Sequence, residues 1–264
     1  MLVSAALLLL PLAPLQDETV QDFKRFYRRT KDPVEKVEII HSLEGLDTPE
    51  VARVLQNLLA DSDKAIADAA LIVITRLPSP EARAPLLRVL EKGKPVEILA
   101  AVVRAAGAGK WHEYREAIRP LLEHKDPTVR LWAAVAPGLL GDPATMEALS
   151  VMVVEDDEIA VRVAAVDSLA SLGLGREARA APALVSALED PTLEVKTAAC
   201  LALKRVRTTD AVGPLIRILA EEKGRILEQI LPTLYELTDL QLGDDPEAWV
   251  SWWTAAQDRA YRIP

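Results

Sequence analysis

Cysteine is almost absent from this sequence, since Cys200 is the only one among 264 residues. A single cysteine excludes an internal disulfide framework and any zinc site built from several cysteines. Cys200 lies in the apolar stretch Ala-Ala-Cys-Leu-Ala-Leu, which predicts a buried and unreactive thiol. Aromatic residues make up only 4% of the chain, and two of them are phenylalanine. The core must therefore be built mainly from Ala, Leu, Val and Ile.

Positive charge is also in deficit, with 31 Lys and Arg against 40 Asp and Glu, which gives a net charge of −9. A general nucleic-acid-binding protein needs a basic surface that displaces the counterions of phosphates, so we expect no nucleic-acid partner. Half of the residues are hydrophobic, and this excludes an intrinsically disordered chain.

Complete catalytic motifs are missing as well. His112-Glu113 begins like a zincin helix, but Glu116 stands where the second metal-binding histidine must be. The segment 107–111 lacks the first glycine and the Ser or Thr of a phosphate-binding loop, and there is no Gly-x-Ser-x-Gly. We therefore predict no catalytic residue, no metal ligand and no cofactor. The acidic run 155–158 leaves two interpretations open, a divalent-cation site or a solvated turn that caps a helix.

The N-terminal segment carries no charge from residue 2 to residue 15. Fourteen mostly apolar residues are few for a bilayer span but are typical of a secretory signal. We predict a signal peptide over residues 1–15, a mature chain that begins near Gln16, and export to the periplasm or the medium. The alternative is a cytoplasmic protein in which this segment is a buried helix. Residues 16–31 are expected to form a capping helix that aligns Val20, Phe23, Phe26 and Tyr27.

A repeat of 30 to 34 residues runs through the rest of the chain. It is marked by β-branched residues at Val34, Ile66, Val96, Val129, Val161, Val195 and Ile226. A small residue follows four positions later in five of the seven units, at Ala70, Ala100, Ala133, Ala165 and Ala199. Each unit shows two stretches with helical spacing of apolar residues, separated by Gly or Pro. Such a pair buries its apolar face only by stacking on the next pair, which predicts an all-α solenoid.

The segment 190–196, Asp-Pro-Thr-Leu-Glu-Val-Lys, followed by Ala-Ala, resembles the HEAT-repeat family. The likeness is greatest to its short bacterial variant, also seen in phycobilisome lyases, and it covers residues 32–240. It implies an α-solenoid superhelix of about seven two-helix repeats with helical caps at both ends. It also implies that acids and bases around the marker valine bridge adjacent repeats, at Asp156 with Arg162, Asp190 with Lys196, and Asp126 with Arg130. Capping of helix N-termini explains the same acids equally well.

The C-terminal segment, residues 241–264, is rich in tryptophan. Trp249, Trp252 and Trp253 lie at i, i+3 and i+4, and therefore on one helix face. The segment resembles the closing part of some exported bacterial HEAT proteins. We expect these rings to cover the last repeat, burying at least one of them against Ile230, Leu234 or Leu237. The alternative is an exposed platform for a ligand.

The family resemblance implies a non-enzymatic protein-interaction or scaffold module that binds a protein or peptide on its second helices. In register on those helices are Arg53, Arg83, Arg88, Arg115, Arg119, Arg179 and Arg217. This patchy basic stripe predicts an acidic or extended peptide as partner, although exposed helix-forming residues would give the same pattern. Trp132 is either a core residue or an exposed binding anchor. The alternatives from other classes are a bilin-lyase-like enzyme, an accessory domain of an envelope complex and, least favoured, a DNA glycosylase.

Overall fold

The computed structural model describes residues 13–93, 95–221 and 224–260, and in these it contains α-helices and short 3-10 helices but no strand. Most of the predicted signal peptide lies outside the described residues. The α-helices are α1 (Ala13–Arg29), α2 (Pro33–His41), α3 (Pro49–Leu55), α4 (Lys64–Thr75), α5 (Pro80–Lys92), α6 (Val96–Ala108), α7 (Arg115–Ile118), α8 (Pro127–Leu140), α9 (Met146–Glu155), α10 (Ile159–Leu172), α11 (Glu177–Ser186), α12 (Leu193–Val206), α13 (Val212–Glu221), α14 (Leu227–Thr238) and α15 (Pro246–Ala260).

The helices pack in the order that a solenoid requires, in two compact units, Met1–Ala117 and Ile118–Pro264. In the first unit α4 packs against both α2 and α6, while α3 packs against α5. In the second unit α10 packs against both α8 and α12, and α12 packs against α14. The alternate helices do the same, α9 against α11 and α13 against α15. First helices thus stack on first helices and second on second, which confirms the all-α solenoid.

Small residues allow the first helices to approach closely. The five alanines that follow the repeat markers are all buried. At Gly138 of α8 an added Cβ would lie 2.7 Å from Ser168 Oγ on α10, so α10 is too close there for any side chain on α8. Ser168 Oγ donates a hydrogen bond of 2.6 Å to the carbonyl of Ala134. Val34 differs from the other markers, since it is 67% exposed in the first turn of α2, where Ile40 is the buried aliphatic residue of the helix.

Helices cover the apolar surface at both ends of the chain. α1 packs against α2 and α3, and its Val20 and Phe23 are buried. At the other end α15 packs against α13, and Trp249 is completely buried. Its ring centroid lies 6.0 Å from that of Tyr235, and its Nε1 donates to the carbonyl of Gly243 at 2.9 Å. Trp252 is only half-buried. The covering role therefore belongs to Trp249 in particular, with Tyr235 as its ring partner.

Two ion pairs connect successive repeats in the second unit, of which Arg162–Asp190 is buried and Arg130–Asp156 is partly buried. Arg130 binds Asp156 through two hydrogen bonds, Nε to Oδ2 at 2.7 Å and Nη2 to Oδ1 at 2.9 Å. Arg162 binds Asp190 in the same way, at 2.7 and 3.3 Å. The resemblance had paired each acid with the base of its own motif; instead, each arginine reaches the aspartate of the following repeat. An arginine at the start of one first helix points toward the loop that leads into the next.

The same aspartates also accept a backbone hydrogen bond in the turn that leads into the next first helix. Asp156 accepts a hydrogen bond from the backbone N–H of Glu158 at 3.0 Å, and Asp190 accepts one from Thr192 at 2.8 Å. Of the two alternatives that the sequence left open, Asp156 and Asp190 show bridging, because the N-cap positions of α10 and α12 are Glu158 and Thr192 and have no side-chain cap. Burial by itself would raise the pKa of Asp156 and Asp190. Hydrogen bonds from the paired arginine and the backbone outweigh burial and hold both pKa values below the usual range of aspartate.

Replacing the buried tryptophan tests the role of α15. We expect Trp249→Ala to lower the free energy of unfolding by about 3–5 kcal/mol, because it leaves a large cavity beside Tyr235. The loss is measured as a lower urea midpoint and as faster proteolysis after residue 224. Val250 on the same helix is 46% exposed, so Val250→Ala is the matched control and should stay within about 0.5 kcal/mol of wild type. Equal midpoints for the two variants would contradict the covering role.

Removing one member of a buried ion pair tests the inter-repeat connection. Arg162→Leu leaves the carboxylate of Asp190 buried without its partner, so we expect a loss of about 3–5 kcal/mol in urea unfolding. The control is Arg217→Leu, because Arg217 pairs with Glu189 across the same 28-residue separation but at an exposed position. An exposed pair contributes about 0–1 kcal/mol. Similar losses in the two variants would show that burial of the pair does not matter.

The lowered pKa values of Asp156 and Asp190 predict an acid-sensitive second unit. Below about pH 4 the unfolded chain takes up protons that the folded aspartates still resist, so stability present above that pH is lost as the pH falls. The double variant Asp156→Asn and Asp190→Asn should be less stable at neutral pH but should lose less on acidification. Unfolding midpoints measured from neutral pH down to about pH 2 test this. The exposed Asp157→Asn control should keep the wild-type slope, and the same slope in the double variant would refute the expectation.

Candidate interaction surfaces

A cationic cleft lies between α3 and α5 in the first unit. It has a volume of about 260 Å³ and is lined by Arg53, Gln56, Pro85, Arg88, Val89 and Lys92. The structure thus brings together two of the arginines that the sequence had placed on the interaction stripe. Lys92 was missed in the sequence analysis, although it lies one helical turn after Arg88 on the same helix. Two stacked second helices supply all three cations, because α3 and α5 pack side by side.

The cations of this cleft are only partly neutralised. Arg53 is paired with Glu50 on its own helix. Arg88 and Lys92 are exposed, and neither has an ion pair with any residue in the described part of the chain. Pro85 and the buried Val89 give the cleft an apolar floor. Its chemistry suits a carboxylate-bearing side chain, because guanidinium groups bind carboxylates through two parallel hydrogen bonds.

Arg83, another of the predicted arginines in the first unit, has a structural role. Its side chain is nearly enclosed, with 9% of the residue exposed, and Nη2 lies 2.9 Å from Glu113. Its guanidinium carbon is 5.2 Å from the ring centroid of Trp111. The hydroxyl of Tyr114 donates to the carbonyl of Arg83 at 2.7 Å. Arg83 therefore connects α5 to the buried aromatic residues of the following repeat and is not presented to a partner.

The remaining arginines of the stripe are dispersed. Arg119 binds the buried Asp142 through two hydrogen bonds of 2.9 Å and so fastens one second-helix segment to the next. Arg217 is exposed and paired with Glu189, and Arg179 is exposed on α11. Arg115 is half-buried at the start of α7. The structure thus assembles only Arg53 and Arg88 into one cleft and assigns Arg83 and Arg119 to packing.

The first helices of the second unit carry an exposed apolar surface. Two cavities of about 290 and 790 Å³ adjoin there and share Ala160 and Val163. Their apolar lining comes from three neighbouring helices, with Leu131, Val135 and Leu139 on α8, Ile159 on α10 and Leu193 on α12. Asp167 borders this surface; desolvation by its neighbours raises the pKa of its carboxyl, and the charge of Arg205 partly opposes that rise. Contiguous exposed apolar surface of this kind is typical of binding sites.

The residues examined for chemistry have structural positions. Cys200 is buried, and desolvation raises the pKa of its thiol to about 11, which makes it a poor nucleophile. Trp132 is half-buried, so it is neither a fully buried core residue nor a fully exposed binding anchor. In the acidic run 155–158, the carboxylate of Asp156 is already paired with Arg130. Within the described ranges no three His, Cys, Asp or Glu side chains are grouped as metal ligands. Among the helices described, none is both long and apolar enough to cross a membrane.

Comparisons with known proteins agree with this architecture. The family model of HEAT repeats matches residues 89–170 and again residues 146–231. No curated protein matches the chain. Among solved structures, the X-ray structure of YibA from Escherichia coli aligns with a TM-score of 0.57 at 16% identity, covering 100% of both chains. A crystal structure of an engineered protein aligns at 19% identity over 86% of this chain and 92% of its own, and its TM-score of 0.40 does not establish a shared fold.

The two family matches together span more than half of the chain, and they include the repeats that the Arg130–Asp156 and Arg162–Asp190 pairs connect. The architecture is one of stacked helix pairs, which is suited to protein interaction. The chain belongs to the HEAT-repeat family.

Proposed function

We propose that this protein is a non-enzymatic interaction module that binds an acidic protein segment in the cationic cleft between α3 and α5. The observation that carries the proposal is the convergence of Arg53, Arg88 and Lys92 on one concave surface of second helices. Arg88 and Lys92 have no ion-pair partner in the described part of the chain, so a carboxylate from outside gains charge-assisted hydrogen bonds without displacing an internal one.

The charge distribution along the chain supports this position. Residues 1–117 carry 16 Lys and Arg against 17 Asp and Glu, whereas residues 118–264 carry 15 against 23. The first unit is therefore almost neutral, and an acidic segment approaches it with little long-range repulsion. The second unit is strongly acidic and repels such a segment. None of the residues that the structure describes favours a bilin-lyase-like enzyme or a DNA glycosylase.

We also propose that the protein is exported, which is compatible with peptide binding in the cleft. A signal peptide over residues 1–15 would direct the repeats to the periplasm or the medium. Sequencing the N-terminus of natively produced protein tests this point, with Gln16 or Asp17 as the expected first residue and Met1 as the contrary result.

Binding of a fluorescent oligoglutamate peptide tests the proposed cleft. We expect the wild-type chain to raise its anisotropy, and Arg88→Gln with Lys92→Gln to weaken binding at least tenfold, because each lost charge-assisted hydrogen bond contributes about 1.5–3 kcal/mol. The control, Arg176→Gln with Arg205→Gln, removes the same charge from exposed positions just before α11 and on α12 and should retain binding. Equal weakening in both variants would indicate a general charge effect, and no binding to the wild type would refute the proposal.

A further inference from the structure

An apolar groove crosses the first helices α8, α10 and α12 of the second unit. It consists of the two adjoining cavities that share Ala160 and Val163. Leu139, Ile159 and Leu193, one from each helix, are 37–47% exposed, so their side chains are accessible to a partner. We call this surface the first-helix groove and define it by its larger apolar side chains, Leu131, Val135, Leu139, Ile159, Val163 and Leu193.

Small residues keep the groove open between its apolar walls. Gly138 and Ser168 line the smaller cavity, and an added Cβ at Gly138 would lie 2.7 Å from Ser168 Oγ. The hydroxyl of Ser168 already donates a hydrogen bond to the carbonyl of Ala134. The smaller cavity therefore offers about 290 Å³ between α8 and α10 for the side chains of a partner.

Asp167 is the one charged side chain among the described residues that line the smaller cavity. It is exposed, and its carboxylate forms no hydrogen bond or ion pair with any residue in the described part of the chain. Desolvation by the surrounding residues raises the pKa of this carboxyl, and the charge of Arg205 opposes that rise only in part. The carboxylate is thus accessible to an external cation and surrounded by apolar groups, where the attraction between opposite charges is strong.

Asp167 gives the groove a negative charge that nothing else in its lining offsets. Glu194 and Arg225 contribute opposite charges to the larger cavity, whereas Asp167 shares the smaller cavity with no cation among the described residues. A wholly apolar partner would bury the Asp167 carboxylate without a counter-charge, which is costly. A partner that combines apolar side chains with one lysine or arginine avoids that cost.

Other occupants of the groove are disfavoured by charge. A second copy bound through the same surface would bring two Asp167 carboxylates into one twofold interface. Anionic lipids and nucleic acids are repelled by the second unit, in which 23 Asp and Glu exceed 15 Lys and Arg. An apolar segment of another protein that carries a basic residue meets neither form of repulsion.

We propose that the first-helix groove binds an amphipathic helix of a protein partner, which places apolar side chains in the two cavities and a lysine or arginine beside Asp167. Neighbouring helices lie about 8–10 Å apart, so the groove spans roughly 20 Å, the length of about 13 helical residues. The long aliphatic part of a basic side chain packs on the apolar wall while its charged end pairs with the carboxylate. The groove lies wholly in the second unit, so the proposal is independent of acidic-peptide binding between α3 and α5.

Fluorescence anisotropy with two matched peptides tests the charge pairing. The probe is a fluorescein-labelled helical peptide of about 14 residues, with leucine on one face, glutamine on the other and one central lysine beside the leucines. In the matched peptide glutamate replaces that lysine. We expect the wild-type chain to bind the lysine peptide at least about tenfold more tightly, because only lysine pairs with Asp167. Asp167→Asn should bind both peptides alike, whereas Asp210→Asn, at an exposed position outside the groove, should keep the wild-type preference.

Replacing apolar side chains tests the groove itself. Leu139→Gln with Leu193→Gln should weaken binding of the lysine peptide about tenfold or more, because both side chains lose their apolar contact with it. Val151 and Val154 are also exposed but lie on α9, so Val151→Gln with Val154→Gln is the control that should bind like wild type. Asp167→Asn keeps the shape of an exposed side chain, so the test does not depend on the folding of the leucine variant.

Three results of the peptide experiments would overturn the proposal. They are no binding of either peptide to the wild-type chain, equal binding of both peptides, and equal losses in the leucine and valine variants. A concentration-dependent dimer of the wild-type chain that the leucine variant loses would also overturn it, since the occupant of the groove would then be a second copy.

Discussion

Each helix pair in this chain has an apolar face that its own residues cannot cover, and burying that face against the next pair determines most of the structure. The alanines after the repeat markers are small enough for first helices to meet closely, as they do where Gly138 lies beside Ser168. The same requirement explains the two ends of the chain. A pair with no further repeat beside it is covered by α1 at one end and by Trp249 of α15 at the other.

Polar groups follow the apolar stacking and make it specific. Arg130 and Arg162 each bind the aspartate of the following repeat, and that aspartate also accepts a backbone N–H in the turn before the next helix. A buried ion pair is costly when its register is wrong, because one charge is then left without a partner. These pairs therefore favour one alignment of neighbouring repeats over shifted alternatives that apolar contacts alone would tolerate.

The surfaces available for binding are those that remain exposed when the repeats stack on one another. Arg83 and Arg119 belong to the same sequence register as Arg53 and Arg88, yet they form ion pairs with Glu113 and Asp142. The cleft between α3 and α5 and the apolar first helices of the second unit remain open. Their chemistries differ, since the cleft is cationic and the first helices are apolar. The family relationship accounts for the scaffold on which they are displayed and leaves their partners to be tested.

The sequence by itself determined the helical class, the repeat of 30 to 34 residues and the family, because helical spacing, Gly and Pro boundaries and small residues are local patterns. It also identified Cys200 as buried and α15 as an amphipathic helix rich in tryptophan. It did not show that Val34 is exposed or that Lys92 lines the cationic cleft. Only the tertiary structure decided which charges are paired across repeats and which remain exposed. The physical reason is that such pairing depends on distances between side chains more than twenty residues apart in sequence and on how far each pair is buried.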